Sequence, residues 1–177
     1  EKYWRIGTST SQQAHYALPL LLDHLMDPRG WTATARGRVV SQSSTSDAQI
    51  TVYDGQSIWS IRLSVGGGGL PPAGVYILTP GGETRLDTAL PVNPAQYNTY
   101  QMLFDPLAGG GEGGVRVYVN GINLTPAPLL RSEVPDGTGA APRFLFGDAF
   151  SSGSGLAETR WSVVRYETGL LPVLPLV

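Results

Sequence analysis

Four arginines and a tyrosine stand at alternate positions of runs that read as strands, and their chemistry is the most specific thing the chain offers. Arg36 and Arg38 fall in Trp31 to Ser41, Arg62 in the run through Ile61, Leu63 and Val65, and Arg116 and Tyr118 in Val115-Arg-Val-Tyr-Val-Asn-Gly121. Gln101 joins them from Thr99 to Asp105, and Asn123 from beyond the Asn120-Gly121 turn. A guanidinium fork matches a carboxylate bidentately, and a tyrosine offers a ring edge and a hydroxyl. Gathered on an outer sheet face, such a set suits a polar or acidic glycan. The competing account of each residue is an ordinary solvated side chain on a sheet exterior. Arg36 and Arg62 sit mid-strand, where a flat scaffold holds a side chain most firmly.

No catalytic constellation stands out. Glycoside hydrolysis needs two carboxylates roughly 5 to 9 Å apart. Among the glutamates only Glu158 and Glu167 share a strand, nine apart, and strict alternation puts them on opposite faces. Asp54, Asp105, Asp136 and Asp148 lie beside Gly or Pro, where turns account for them. His15 and His24 precede the main run of strands with no acid–base partner near them in sequence, and no Gly-x-Ser-x-Gly elbow is present. The glycine clusters at Gly66 to Gly69 and Gly109 to Gly114 lack the Gly-Lys-Ser/Thr ending of a phosphate loop and read as inter-strand loops.

The elements that must position the arginines are legible from turn chemistry. Asn120-Gly121 favours a type I′ turn, whose two central residues both need φ > 0, and this predicts a tight hairpin with Val119 opposite Ile122 and Tyr118 opposite Asn123. Asp54-Gly55 predicts a second hairpin pairing Val52 with Ser57, Thr51 with Ile58 and Ile50 with Trp59. Trp31, Ala33, Ala35, Gly37 and Val39 alternate against Thr32, Thr34, Arg36 and Arg38, the pattern of a strand with a core face and a polar face. Further runs at Gly74 to Thr79, Glu83 to Asp87, Thr99 to Asp105, Arg143 to Phe146 and Glu158 to Thr168 bring the expectation to about nine to twelve strands. Only Ala17 to Met26 reads as a helix, from the spacing of Leu18, Leu21, Leu22 and Leu25, with Pro19 in its first turn. Trp31, Trp59 and Trp161 fall on core faces.

The polar-faced Trp31 to Ser41 strand, the Val-Tyr-Val-Asn-Gly hairpin, Phe146-Gly-Asp148 and the Trp161 to Tyr166 strand together resemble the concanavalin A-like and laminin G-like jelly rolls, a group that includes pentraxins, legume lectins and the lectin domains of bacterial sialidases. The resemblance implies an all-β, two-sheet antiparallel β-sandwich (jelly roll) over residues 1–169, with 170–177 as an apolar, Pro-rich tail or linker start. It implies a non-catalytic, lectin-like carbohydrate-binding module. The site residues expected are Arg36, Arg62, Arg116, Tyr118 and Gln101. Two alternatives stay open: a structural or adhesion module without a sugar ligand, and a divergent polysaccharide lyase or glycoside hydrolase. Jelly-roll glucanases carry an alternating Glu-x-Asp-x-x-Glu strand, which this chain lacks. Calcium is common in the family at a sandwich edge, so Asp148, Asp54 and Asn120 are conceivable ligands, with no spaced acidic cluster to mark a site.

Composition agrees with one domain. The 177 residues include 23 Gly and 14 Pro, which favour turns and strands, and no Cys, which leaves neither a disulfide framework nor a thiolate metal site. The net charge is −2 and the basic residues form no run, so nucleic acid is not an expected partner. No apolar run of about 18 residues is present to insert in a membrane. A chain that begins at Glu1 leads to the expectation of a processed or trimmed protein, secreted or at the cell surface and bacterial, whose oligomeric state the sequence leaves open.

Overall fold

The computed structural model describes residues 4–7, 14–21, 25, 27–43, 48–148 and 157–169. Among them thirteen strands form: β1 (Trp4–Gly7), β2 (Ala14–Pro19), β3 (Trp31–Gln42), β4 (Ala48–Tyr53), β5 (Ile58–Ser64), β6 (Gly74–Thr79), β7 (Gly82–Arg85), β8 (Asn98–Asp105), β9 (Gly114–Val119), β10 (Ile122–Asn123), β11 (Leu129–Leu130), β12 (Arg143–Asp148) and β13 (Ala157–Thr168). One helical turn, α1 (Ala108–Gly111), follows β8, and a 3-10 turn covers Arg131–Glu133. All pairings are antiparallel, in a seven-stranded sheet ordered β1-β13-β3-β8-β9-β10, with β11 also on β9, and a six-stranded sheet ordered β2-β12-β4-β5-β6-β7. This is the two-sheet β-sandwich expected.

The core forms where the two apolar faces meet. Trp31, Trp59 and Trp161 are fully buried, as their strand positions predict. Trp31 stacks on Phe104 at 5.3 Å between centroids, Trp59 tilts against the same ring at 5.8 Å, and Trp161 meets Phe146 edge-on at 5.8 Å. Such pairs add about 0.5–1.5 kcal/mol each beyond the area they bury. Trp4 takes the same inward face from the edge strand β1 and stays half exposed.

The Asn120-Gly121 hairpin has the expected register, Ile122 opposite Val119 and Asn123 opposite Tyr118, with φ of 53° and 80° at the two turn residues. The Asp54-Gly55 hairpin differs. Val52 pairs with Trp59, Thr51 with Ser60 and Ile50 with Ile61, a slip of two residues from the predicted register. Asp54 does not take positive φ, so no type I′ turn forms; its Oδ1 accepts from the amides of Gln56 and Ser57 and draws 54–57 into a four-residue loop. Because the slip is two, every side chain keeps its predicted face.

Ala17 to Pro19 is strand, not helix. β2 pairs with β12, setting Leu18 opposite Phe144 and Tyr16 opposite Phe146, and the Tyr16 ring stacks on Phe146 at 5.5 Å. Pairing along a sheet edge outweighs the helical spacing of the leucines, and Pro19 closes the strand where its missing N–H matters least. Leu25, near the far end of the predicted helix, is helical, while Leu22, His24 and Met26 lie outside the described residues.

Candidate functional site

Cross-strand partners share a face, so the register of the seven-stranded sheet places its polar side chains in rows. One row runs Glu167, Thr32, Leu103, Arg116; the next Arg165, Thr34, Gln101, Tyr118, Asn123; the next Val163, Arg36, Thr99. The last is Arg5, Arg160, Arg38 on the adjacent strands β1, β13 and β3. Four of the five predicted ligand residues, Arg36, Arg116, Tyr118 and Gln101, thus lie on one outer face, with Arg38 and Asn123. Arg62 does not join them. It sits on β5 in the other sheet, between Gln49 and Tyr76, in an ion pair with Glu83.

A bulge in β13 shapes this face. Pairing with β3 steps between Trp161 and Val163, leaving Ser162 as the extra residue beside Arg36 and Gly37. Gly37 is required there, since a Cβ would stand 2.3 Å from the Trp161 ring. The step also overturns the strict alternation expected of β13. Glu158, Arg160, Val163, Arg165 and Glu167 all come to the outer side, so Glu158 and Glu167 share a face rather than opposing one another. Both are occupied by arginines: Glu158 accepts from Arg5 at 2.8 Å and from Arg160 at 3.0 Å, and Glu167 pairs with Arg165. Partial burial works against ionisation of Glu158, but the hydrogen bonds from Arg5 and Arg160 outweigh it and hold its carboxyl below the usual glutamate range.

Arg36 and Arg38 meet at a residue the sequence reading left out. The guanidinium carbons of both lie over the ring of Tyr97, at 5.1 and 5.2 Å from its centroid. Arg36 pairs with Thr99 and Gly37 with Asn98, and Tyr97 immediately precedes that end of β8. Alternation from Gln101 through Thr99 to Tyr97 was the available signal, missed because the predicted strand began at Thr99. Arg36 also donates to Ser162 Oγ at 3.0 Å. The Nε of Arg38 is buried without a hydrogen-bond partner among the described residues.

The middle of the face is closed to solvent. Thr32, Thr34 and Gln101 are at most 3 % exposed although they point away from the core. Gln101 donates from Nε2 to Thr34 Oγ1 at 3.3 Å and its Oε1 has no partner among the described residues, which makes it floor rather than the accessible contact expected. Arg116 and Tyr118 stand half-buried around it, and Asn123 turns its Oδ1 to the Thr125 amide.

The predicted calcium ligands have other partners. Asp54 accepts from Gln56 and Ser57 amides, from Trp59 Nε1 at 2.9 Å and from Arg131 at 2.6 Å. Asn120 accepts from Thr99 N and donates to Asn98. The Asp148 side chain lies outside the described set, although its backbone ends β12. Among the described residues no group of three or more His, Cys, Asp or Glu gathers to hold a metal, and no helix is long and apolar enough to cross a membrane. Two adjoining clefts of about 480 and 370 Å³ open beyond β7 and β10, sharing Leu90 and Leu124, and the larger reaches Asn123 at the end of one row.

No family model matches the sequence, and no curated protein matches it. Solved structures match its fold. A botulinum neurotoxin type C structure, of a toxin whose passage into cells depends on interaction with two ganglioside molecules, aligns over 96% of this chain and 40% of its own with a TM-score of 0.55 and 8% identity. The binding domain of botulinum neurotoxin DC in complex with SialylT aligns over 96% and 39% with a TM-score of 0.51 and 8% identity. A heptameric SAP-like pentraxin from Limulus polyphemus aligns over 94% and 77% with a TM-score of 0.51 and 13% identity. The chain therefore has the two-sheet β-sandwich fold seen in these proteins, and it spans about 40% of the length of the toxin chains.

Proposed function

We propose that the chain is a non-catalytic glycan-binding module that presents the outer face of its seven-stranded sheet to acidic glycans. The observation that carries this reading is the row Arg5, Arg160, Arg38, three like charges on adjacent strands with Glu158 as the carboxylate between two of them. Like charges placed opposite one another destabilise a sheet, so such a row calls for an anion beside it. Across the face six arginines (Arg5, Arg36, Arg38, Arg116, Arg160, Arg165) stand against three carboxylates (Glu158, Glu167 and, at the strand end, Asp105), in a chain whose net charge is −2. The concentration of positive charge on one face of an acidic protein is an electrostatic footprint for a negatively charged partner. The ganglioside dependence of the type C toxin and the SialylT complex of the DC binding domain bring a glycan to a similar fold. The module covers residues 1–169 and belongs to a secreted or surface protein.

A second reading, a structural or adhesion module, is favoured by one feature. At the β1/β2 edge Trp4, Tyr16, Leu18 and Leu21 are 46 to 65 % exposed, an apolar strip open to another protein.

A glycan array that includes uronic and sialic acids, run with calcium and with a chelator, separates the two. Selective binding lost in Arg36→Ala, Arg38→Ala and Arg116→Ala, and kept in Arg62→Ala, is the expected outcome. No binding in either condition contradicts the glycan reading and leaves the adhesion module.

A further inference from the structure

We infer that Arg36 and Arg38, held together by Tyr97, form the anchor for one carboxylate of the glycan, of the kind carried by uronic and sialic acids; this rests on the glycan-binding reading above. Two guanidiniums each lie about 5 Å from the same ring centroid, and their like charges repel one another. The negative face of the ring lowers that repulsion, and it restricts two long side chains before any ligand arrives. Ser162, placed by the β13 bulge, fixes Arg36 from the other side at 3.0 Å. Gly37 separates the two arginines and lets Trp161 close beneath the strand.

Among the described residues no carboxylate forms an ion pair with Arg38, although the neighbouring Arg160 and Arg5 both have Glu158. A guanidinium fork donates two parallel N–H bonds in its own plane, and the two oxygens of a carboxylate accept both. Tyr97 is accordingly a positioning residue whose ring, not its hydroxyl, does the work.

The test is titration calorimetry of the whole chain with oligogalacturonate, its carboxyl-reduced neutral counterpart, sialyllactose, and a sulfated neutral oligosaccharide. The expected result is binding of at least one carboxylated probe and no measurable binding of the reduced one, with oligogalacturonate and sialyllactose distinguishing a uronate from a sialate source. Tyr97→Ala lowers that affinity at least tenfold, Tyr97→Phe keeps it within about twofold, and Arg38→Lys, which keeps charge but loses the fork, loses the preference for the carboxylated probe. Equal binding of the reduced oligomer, a preference for the sulfated one, or unchanged affinity in Tyr97→Ala overturns the anchor while leaving glycan binding in place. If Tyr97→Ala does not fold, Arg38→Lys decides alone. Failure of every probe to bind the wild-type chain overturns the glycan reading and the anchor together.

Discussion

Single residues on the arginine face work against one another, and Glu158 shows it most clearly. Its carboxylate occupies Arg5 and Arg160, so it competes with any anionic ligand for the same donors. Glu158→Gln should therefore strengthen binding of an acidic glycan severalfold while lowering thermal stability slightly, checked by parallel titration and melting curves. Asp54 belongs to the opposite class. Its side chain is nearly fully buried, and breaking its pair with Arg131 strands a charge beneath Phe104 and Trp59. Asp54→Ala is expected to cost about 3–5 kcal/mol in denaturant unfolding. Asp87 sets part of the acid limit. Burial resists its ionisation, but hydrogen bonds from Arg85 and the Val92 and Val75 amides hold its carboxyl below the usual aspartate value. Its folded-state value lies under the unfolded one, so the stability it adds is whole above about pH 4 and is lost as pH falls through the folded value. Asp87→Asn should flatten that part of the stability–pH curve in acid denaturation.

Elements were legible where local chemistry and long-range pairing agree. Asn120-Gly121 fixed its hairpin because both residues tolerate positive φ, and Asn120→Val should destabilise the fold by about 1–2 kcal/mol, measured by denaturant titration. The Asp54 hairpin was placed two residues off because the aspartate side chain builds a loop that dipeptide preferences do not encode. The Ala17 leucine spacing misled because β12, more than a hundred residues later, supplies the partner that makes Ala14–Pro19 a strand. The bulge at Ser162 has no local signature at all. It arises from the fit of Trp161 against Gly37, and it is what brings Glu158 and Glu167 to the same side. Gly37→Ala should accordingly unfold the chain or cost several kcal/mol, since neither the ring nor the strand can retreat far in a close-packed core.

At the scale of the molecule, alternation along each strand told which side chains point outward but not which sheet carries them. Arg62 alternates as convincingly as Arg36, yet strand order sends it to the six-stranded sheet and into a pair with Glu83. Strand order likewise brings Arg5, Arg160 and Arg38, far apart in sequence, into one row. The resulting face is charged, broad and distinct from the apolar β1/β2 edge, so one sandwich offers a charged surface on one side and an apolar one at its rim. Charge-driven binding must weaken as salt shortens the screening length toward about 8 Å at physiological ionic strength. The most direct measurement is the affinity of the wild-type chain and of the Arg36→Ala/Arg38→Ala double variant for an acidic glycan at low and physiological salt. The account predicts wild-type binding that falls with salt and disappears in the double variant, with folding intact. Binding of equal strength in both proteins, or binding indifferent to salt, would contradict it.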